Sequence, residues 1–293
     1  MTPLRQKMIA ALELNAKSPS TVESYVREVY LVSKFYSKRP DLITEDELIR
    51  YLLHRKNVDK LAPPSMRICY SGIRFFFERV LARPWRIFAL LHARRELRRP
   101  MILSREEVHQ VLESAQPFHN QVYFTTVYSC GLRLHEGLYL EIGDIDTQQR
   151  MLHVHRGKGA KDRVVPLPEK TLILLRQYWK THRHSHLLFP ATGQNHQQAS
   201  TATSPMSRTS VQGAFYKARL KAGIHKRGIS LHSLQHSYAT HLLEAGVPLP
   251  TIQRYLCHSH IETTMVYLHL TPEGQQKAIG HINQLLEAPS CQR

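Results

Sequence analysis

Apolar residues recur at three- and four-residue intervals through most of this chain, the spacing of helices with one buried face. Leu4, Met8, Ala11 and Leu12 mark a first amphipathic helix. Val22, Tyr25, Val26, Val29, Val32 and Tyr36 mark a second, which Ser20 and Glu23 are placed to open as a capping box. Thr44 and Glu47 repeat that device ahead of Leu48, Tyr51 and Leu52, after a turn over 41–44. Beyond Pro63 and Pro64, the residues Met66, Cys69, Tyr70, Ile73, Phe76, Phe77, Val80 and Leu81 keep one face apolar, and Arg67, Arg74 and Arg79 fall off it. Residues 1–85 are therefore expected to form a helical bundle.

Over 86–100 the period fades and Arg86, Arg94, Arg95, Arg98 and Arg99 crowd together as a basic linker. Ser104 and Glu107 open a second domain, expected over 101–284, with Val108, Val111 and Leu112 on one face. Another apolar helix runs through Val122, Phe124, Val127 and Tyr128 to Gly131. The period then changes to two. Residues 151–155 and 163–167 alternate about a basic, glycine-containing tip, which predicts a β-hairpin. A helix over 169–181, a polar loop over 191–207 and a basic helix over 210–222 follow. Ser230 is placed to cap a helix carrying Leu231, Leu234, Tyr238, His241 and Leu242, which Gly246 ends in the left-handed conformation. A run over 251–256, a last helix from Thr271 through Leu286 and a tail over 285–293 complete a mainly α fold with a small β-hairpin or sheet.

Two domains suit 293 residues. The 40 lysines and arginines against 23 acidic residues give a net charge of +17, which points to a polyanionic partner. A membrane is the rival polyanion. No apolar run reaches about 18 residues and Arg5, Lys7 and Glu13 spoil a secretory signal, so an intracellular protein with no membrane partner is expected. Cys69, Cys130, Cys257 and Cys291 form no C-x-x-C pair, which predicts reduced thiols without a disulfide framework or zinc ribbon.

Five stretches carry chemistry: Gly131-Leu132-Arg133 with Glu136, Lys158 in the hairpin tip, His232-Ser233-Leu234-Gln235-His236, Leu256-Cys257-His258, and Tyr267. In order and kind they resemble the boxes of the tyrosine recombinases, the phage-integrase family, in its Xer and integron-integrase branch. The family's pattern is G-L-R-x-x-E, a hairpin lysine, H-x-L-R-H, L-G-H and a tyrosine. Ser20-Thr21 with Tyr25 is similar to the start of that family's helical core-binding domain. Two positions depart from the pattern: Gln235 stands at the second catalytic arginine and Cys257 at a glycine.

The resemblance implies a site-specific recombinase that cuts and rejoins DNA through a 3′-phosphotyrosyl intermediate, without metal or cofactor. Tyr267 attacks, Arg133 clamps the phosphate, Lys158 protonates the leaving 5′ hydroxyl, His232 and His258 bond to reacting oxygens, and Glu136 supports the site. Double-stranded DNA is the implied partner, contacted by Arg67, Arg74, Arg94, Arg95, Arg98 and Arg99. A homotetramer on DNA in a bacterial-type cytoplasm, with the C-terminal segment docked on a neighbouring subunit, is the implied assembly.

These residue types suit that reaction. A phenol of pKa about 10 is ionised in only about one molecule in a thousand at neutral pH, so cations or a base must help it attack. Guanidinium groups match the growing charge on phosphate oxygens with two parallel donors. Glutamine lacks the charge and the fork, and losing one preorganised donor costs roughly 3–4 kcal/mol. Two readings therefore stay open: a recombinase with weak or absent cleavage, and a DNA-binding relative that does not cut. A zinc hydrolase using His232 and His236, one helical turn apart, lacks the glutamate of H-E-x-x-H because Ser233 takes its place. A nucleotide-binding loop fails because G-x-x-x-x-G-K-[ST] is absent.

Overall fold

The four apolar stripes of the first eighty residues form four helices. The computed structural model describes residues 2–90, 100–155, 162–193, 196–258 and 260–270, and the chain divides into two compact units, Met1–Arg98 and Arg99–Arg293. In the first, α1 (Pro3–Leu14), α2 (Pro19–Tyr36), α3 (Glu45–Asn57) and α4 (Pro63–Phe75) enclose Met8, Leu12, Val32, Leu48, Tyr51, Ile73 and Phe77. A π-helical turn, Phe76–Val80, extends α4, and the short α5 (Ile87–Leu90) adds Phe88 to the same core.

Thr44 and Glu47 cap α3 reciprocally, as expected: the Glu47 N–H donates to Thr44 Oγ1 at 3.3 Å and the Thr44 N–H to Glu47 Oε2 at 2.8 Å. The box expected at Ser20 and Glu23 does not form. Ser18 caps α2, accepting from the Thr21 N–H, and Pro19 takes the first helical position, where its missing N–H costs nothing. Helix α2 meets α4 at Gly72, where a Cβ would stand 2.9 Å from the Tyr25 Cα, so glycine sets that close approach.

The second unit opens with α6 (Arg105–Ser114), whose box of Ser104 and Glu107 forms as expected, then α7 (Phe118–Ser129) and the single-turn α8 (Leu134–Leu138). A three-stranded antiparallel sheet follows in the order β1 (Ile145–Asp146), β2 (Met151–Val154), β3 (Arg163–Pro166), with Leu152 opposite both Ile145 and Val165. Strands β2 and β3 are the expected hairpin. Strand β1 has two residues, too few for alternation to reveal. Then come α9 (Glu169–His182), α10 (Arg208–Lys221), α11 (His232–Glu244), α12 (Leu249–Leu256) and α13 (Glu262–Met265), ending in a 3₁₀ turn, Val266–Leu270.

Ser207 caps α10, but Ser230 does not cap α11. There the polarity is reversed, because the Ser230 N–H donates to the Ser233 hydroxyl inside the helix. Gly246 ends α11 at φ +85°, as expected. The α6–α7 and α9–α11 segments share one core built on Val111, Phe124, Val127, Leu175, Phe215 and Leu234. The hairpin tip over 156–161 and the helix expected from Thr271 lie outside the described residues. Among those described, no helix is long and apolar enough to cross a membrane.

Candidate active site

Arg133 is held at the head of α8 by the turn before it and the carboxylate after it. Gly131 has φ +61°, and a Cβ there would meet the Tyr238 ring at 2.4 Å, so the turn requires glycine. Glu136 accepts from the Arg133 backbone N–H at 2.8 Å and from Arg133 Nη1 at 2.7 Å. Arg163, buried on β3, grips the same carboxylate with both prongs, donating from Nη1 to Oε1 at 2.8 Å and from Nη2 to Oε2 at 2.6 Å. Burial alone would raise the Glu136 carboxyl, but the bonds and charge of Arg163, then those of Arg133, hold it below the usual range.

The two arginines also tie into the end of α12. Arg133 Nη2 donates to the Leu256 carbonyl at 2.9 Å and Arg163 Nε to the Tyr255 carbonyl at 2.7 Å. Those carbonyls belong to the helix's last turn, where acceptors lack intrahelical partners and the dipole favours cations. Cys257 follows in the left-handed conformation, φ 52° and ψ 50°, which explains physically why a glycine suits the position.

Helix α11 presents His232, Gln235 and His236. Gln235 is buried and its Nε2 donates to the Gly131 carbonyl at 2.8 Å, bracing the turn beneath Arg133. His236 Nδ1 lies 2.9 Å from the Tyr267 oxygen. Tyr267 is only 2% exposed, and its ring lies nearly parallel to His258, centroids 6.5 Å apart. The Nδ1 of His258 is bonded to Thr264 Oγ1 at 2.9 Å.

Burial pushes the Tyr267 phenol up to about 12, against the pull of the Arg133 charge. Burial, helped by His232, lowers His236 to about 4. His232 keeps an exposed edge, yet burial of the rest of its ring, and then Arg208, Arg133 and His135, lower its pKa. The site is thus a neutral phenol and neutral imidazoles set among fixed cations.

Of the residues expected at the site, Arg133 is bonded to Glu136, and Tyr267 lies against His258. Lys158, Arg94, Arg95, Arg98 and Arg99 lie outside the described residues. Arg67 is exposed, and the exposed Arg74 donates to Glu78 at 2.9 Å, one turn along α4. Sequence reasoning passed over Arg163, Arg208 and the part His236 plays. For Arg163 there was a signal, since alternation along β3 puts a charged residue on the inward face with Val165. For His236 the signals were its place at the end of the box over 232–236 and one turn from His232, where a role of its own was weighed only for zinc. Its Nδ1 is engaged by Tyr267, and no group of three or more histidines, cysteines or carboxylates is placed to hold a metal among the described residues. Arg254, in the last turn of α12, lies over the Tyr255 ring at 5.7 Å. An open cavity of about 760 Å³ beside His258 is lined by Asp162, Arg163, Gln253, Tyr255 and Cys257.

Residues 102–273 match the model of the phage integrase family, and residues 4–87 match the phage integrase N-terminal SAM-like domain. A Sinorhizobium fredii protein, y4qK, named among integrases and recombinases, is 37% identical over 271 residues, covering 92% of this chain and 85% of the relative. The tyrosine recombinase XerA of Thermococcus kodakarensis is 31% identical, covering 91% of this chain and 90% of its own. A lambda integrase tetramer bound to a Holliday junction has the same fold, with TM-score 0.68 at 17% identity over 89% of this chain and 76% of that one.

Proposed function

This chain belongs to the phage integrase family, and on that premise we propose that it cuts and rejoins double-stranded DNA through a covalent 3′-phosphotyrosyl bond to Tyr267. The observation that carries the reading is the placement of the Tyr267 oxygen, 2.9 Å from a histidine nitrogen and within the electrostatic reach of Arg133. Arg133, fixed by Glu136 and the end of α12, binds the scissile phosphate. Its orientation is set in advance, so little reorganisation accompanies charge development. His232 and His258 bond to phosphate oxygens, and Lys158 supplies the proton for the departing 5′ oxygen. The reaction draws on side chains alone, with no metal or cofactor.

Duplex DNA is the partner, with Arg67, Arg74, Arg94, Arg95, Arg98 and Arg99 on its backbone, and four copies assemble on it. The likeness to a tetramer on branched DNA supports this assembly. The compartment is the bacterial-type cytoplasm, on the chromosome or another DNA. Residues 1–85 serve as the core-binding domain, 86–100 as the linker and 101–284 as the catalytic domain.

A second reading, a relative that occupies DNA without cutting it, is favoured by Gln235, whose amide is turned to the Gly131 carbonyl and carries no charge. One experiment separates the two. A duplex selected for binding from a random-sequence pool, nicked so that the cleaved end diffuses away, traps any covalent adduct. Adduct from the parent chain that disappears in Tyr267→Phe supports the recombinase; binding without adduct supports the second reading.

A further inference from the structure

During attack the Tyr267 phenol must lose its proton, and the positions carried over from the family pattern leave its acceptor undetermined. Arg133 and Lys158 are donors, Glu136 is held by Arg133 and Arg163, Gln235 bonds to Gly131, the His258 Nδ1 is bonded to Thr264, and His232 is assigned to a phosphate oxygen. A ring nitrogen at hydrogen-bond distance from the phenolic oxygen belongs to His236, with Nδ1 at 2.9 Å. Helix α11 holds the backbone that carries this ring: Thr240 Oγ1 donates to the His236 carbonyl at 3.1 Å, and the neighbouring Gln235 and Ser237 are buried.

We propose that His236 is a catalytic residue, the proton acceptor for Tyr267. As the phenolic oxygen bonds to the scissile phosphorus, its proton passes to Nδ1. The bond from phosphorus to the 5′ oxygen breaks, and that oxygen takes the proton of the Lys158 ammonium. One proton is thus gained by His236 and one lost by Lys158, and the phosphodiester charge is unchanged. For Nδ1 to accept, the ring must carry its resting proton on Nε2.

The order of events follows from the two environments. Off DNA the phenol stands at about 12 and the imidazole at about 4, roughly eight powers of ten apart, so the tyrosine stays neutral and inert. Once its oxygen begins to bond phosphorus, the attached proton becomes far more acidic than any imidazolium, and transfer runs downhill during bond formation. The charges agree: burial and His232 on α11 keep the His236 ring neutral and able to accept, while the Arg133 charge acts on Tyr267, whose ring lies nearly parallel to that of His258.

The inference rests on Tyr267 being the nucleophile, and its test has two arms. In the first, the full chain labelled with ¹⁵N-histidine is studied by NMR, with His236 assigned by its loss in His236→Asn. An unprotonated Nδ1 whose signal moves in Tyr267→Phe, while other histidines stay in place, is expected; a protonated Nδ1 overturns the proposal. The second arm uses the selected duplex with sulfur replacing the bridging 5′ oxygen, which leaves without a proton and isolates the nucleophile's side of the reaction. In Gln235→Arg protein, adduct formation should be independent of pH between about 6 and 9. Adding His236→Asn, whose amide stands where Nδ1 was, should slow it about 100-fold at pH 7 and make it rise tenfold per pH unit. The same flat profile in both proteins overturns the proposal. Absence of adduct in Gln235→Arg overturns the covalent reading itself and the role of His236 with it.

Discussion

Single residues decide both departures from the family pattern. Cys257 holds φ 52° with a side chain that glycine would not have, at a cost of about 1–2 kcal/mol for left-handed backbone. Cys257→Gly should therefore raise the stability by about 1 kcal/mol, seen as a higher urea midpoint at unchanged slope. Gln235 is a different case, because its amide is bonded to the Gly131 carbonyl and the effect of its replacement is expected in the chemistry. Gln235→Arg should raise the rate of covalent adduct formation by about 100-fold or more, and Gln235→Lys by less, since an ammonium restores charge without the fork. Equal rates in the parent and the arginine variant would mean another cation serves the phosphate, and Arg208, near enough to depress His232, is the one to remove next.

At the scale of elements, three pieces of backbone far apart in sequence are joined through one carboxylate. Glu136 on α8 takes Arg163 from β3 and Arg133 from the preceding turn, and both arginines continue to the last carbonyls of α12. Removing one partner from a buried ion pair leaves the other charge uncompensated, which costs about 3–5 kcal/mol. Arg163→Met should accordingly lower the thermal midpoint sharply, and Glu136→Gln added to it should recover part of the loss. A double variant no more stable than Arg163→Met alone would show that packing of the arginine stem, and not the charge, is what matters.

For the whole molecule, two measurements follow from charge. With +17 overall, DNA affinity should drop about a thousandfold between 50 and 200 mM salt if six phosphates are contacted. A change of less than about tenfold would indicate a contact set too small for the proposed arginines. Acid should destabilise the fold in two stages. His236 and His182, both lowered to about 4 chiefly by burial, are protonated in the unfolded chain below about 6.5 but not in the folded one. Stability is thus lost as pH falls from 6.5 toward 4, by at most about 3 kcal/mol for His236. Glu136, whose carboxyl is depressed, adds its loss only below about 4.5. Unfolding curves taken every half pH unit should show the first stage weakened in His236→Asn.

The sequence alone determined most of the elements and the family, and proposed the chemical cast. The 3.6-residue stripes placed the helices, two of the boxes expected at Thr44 and Ser104 formed, and the alternation around 151–167 gave β2 and β3, because these patterns record local backbone preference and which face is buried. The motif order pointed to Arg133, His232, His258 and Tyr267 as the proposed site residues. Local rules failed where competing caps lay a residue or two apart, as at Ser18 against Ser20, and where a strand was too short to show its period, as at Ile145–Asp146. Only the tertiary structure decided who touches whom. That Arg163 shares Glu136 with Arg133, that Gln235 spends its amide on Gly131, and that His236 meets Tyr267 are contacts across 27, 104 and 31 residues. Separations of that kind leave no periodic trace in a single chain, since they are set by how helices and strands pack together and not by what any one segment prefers.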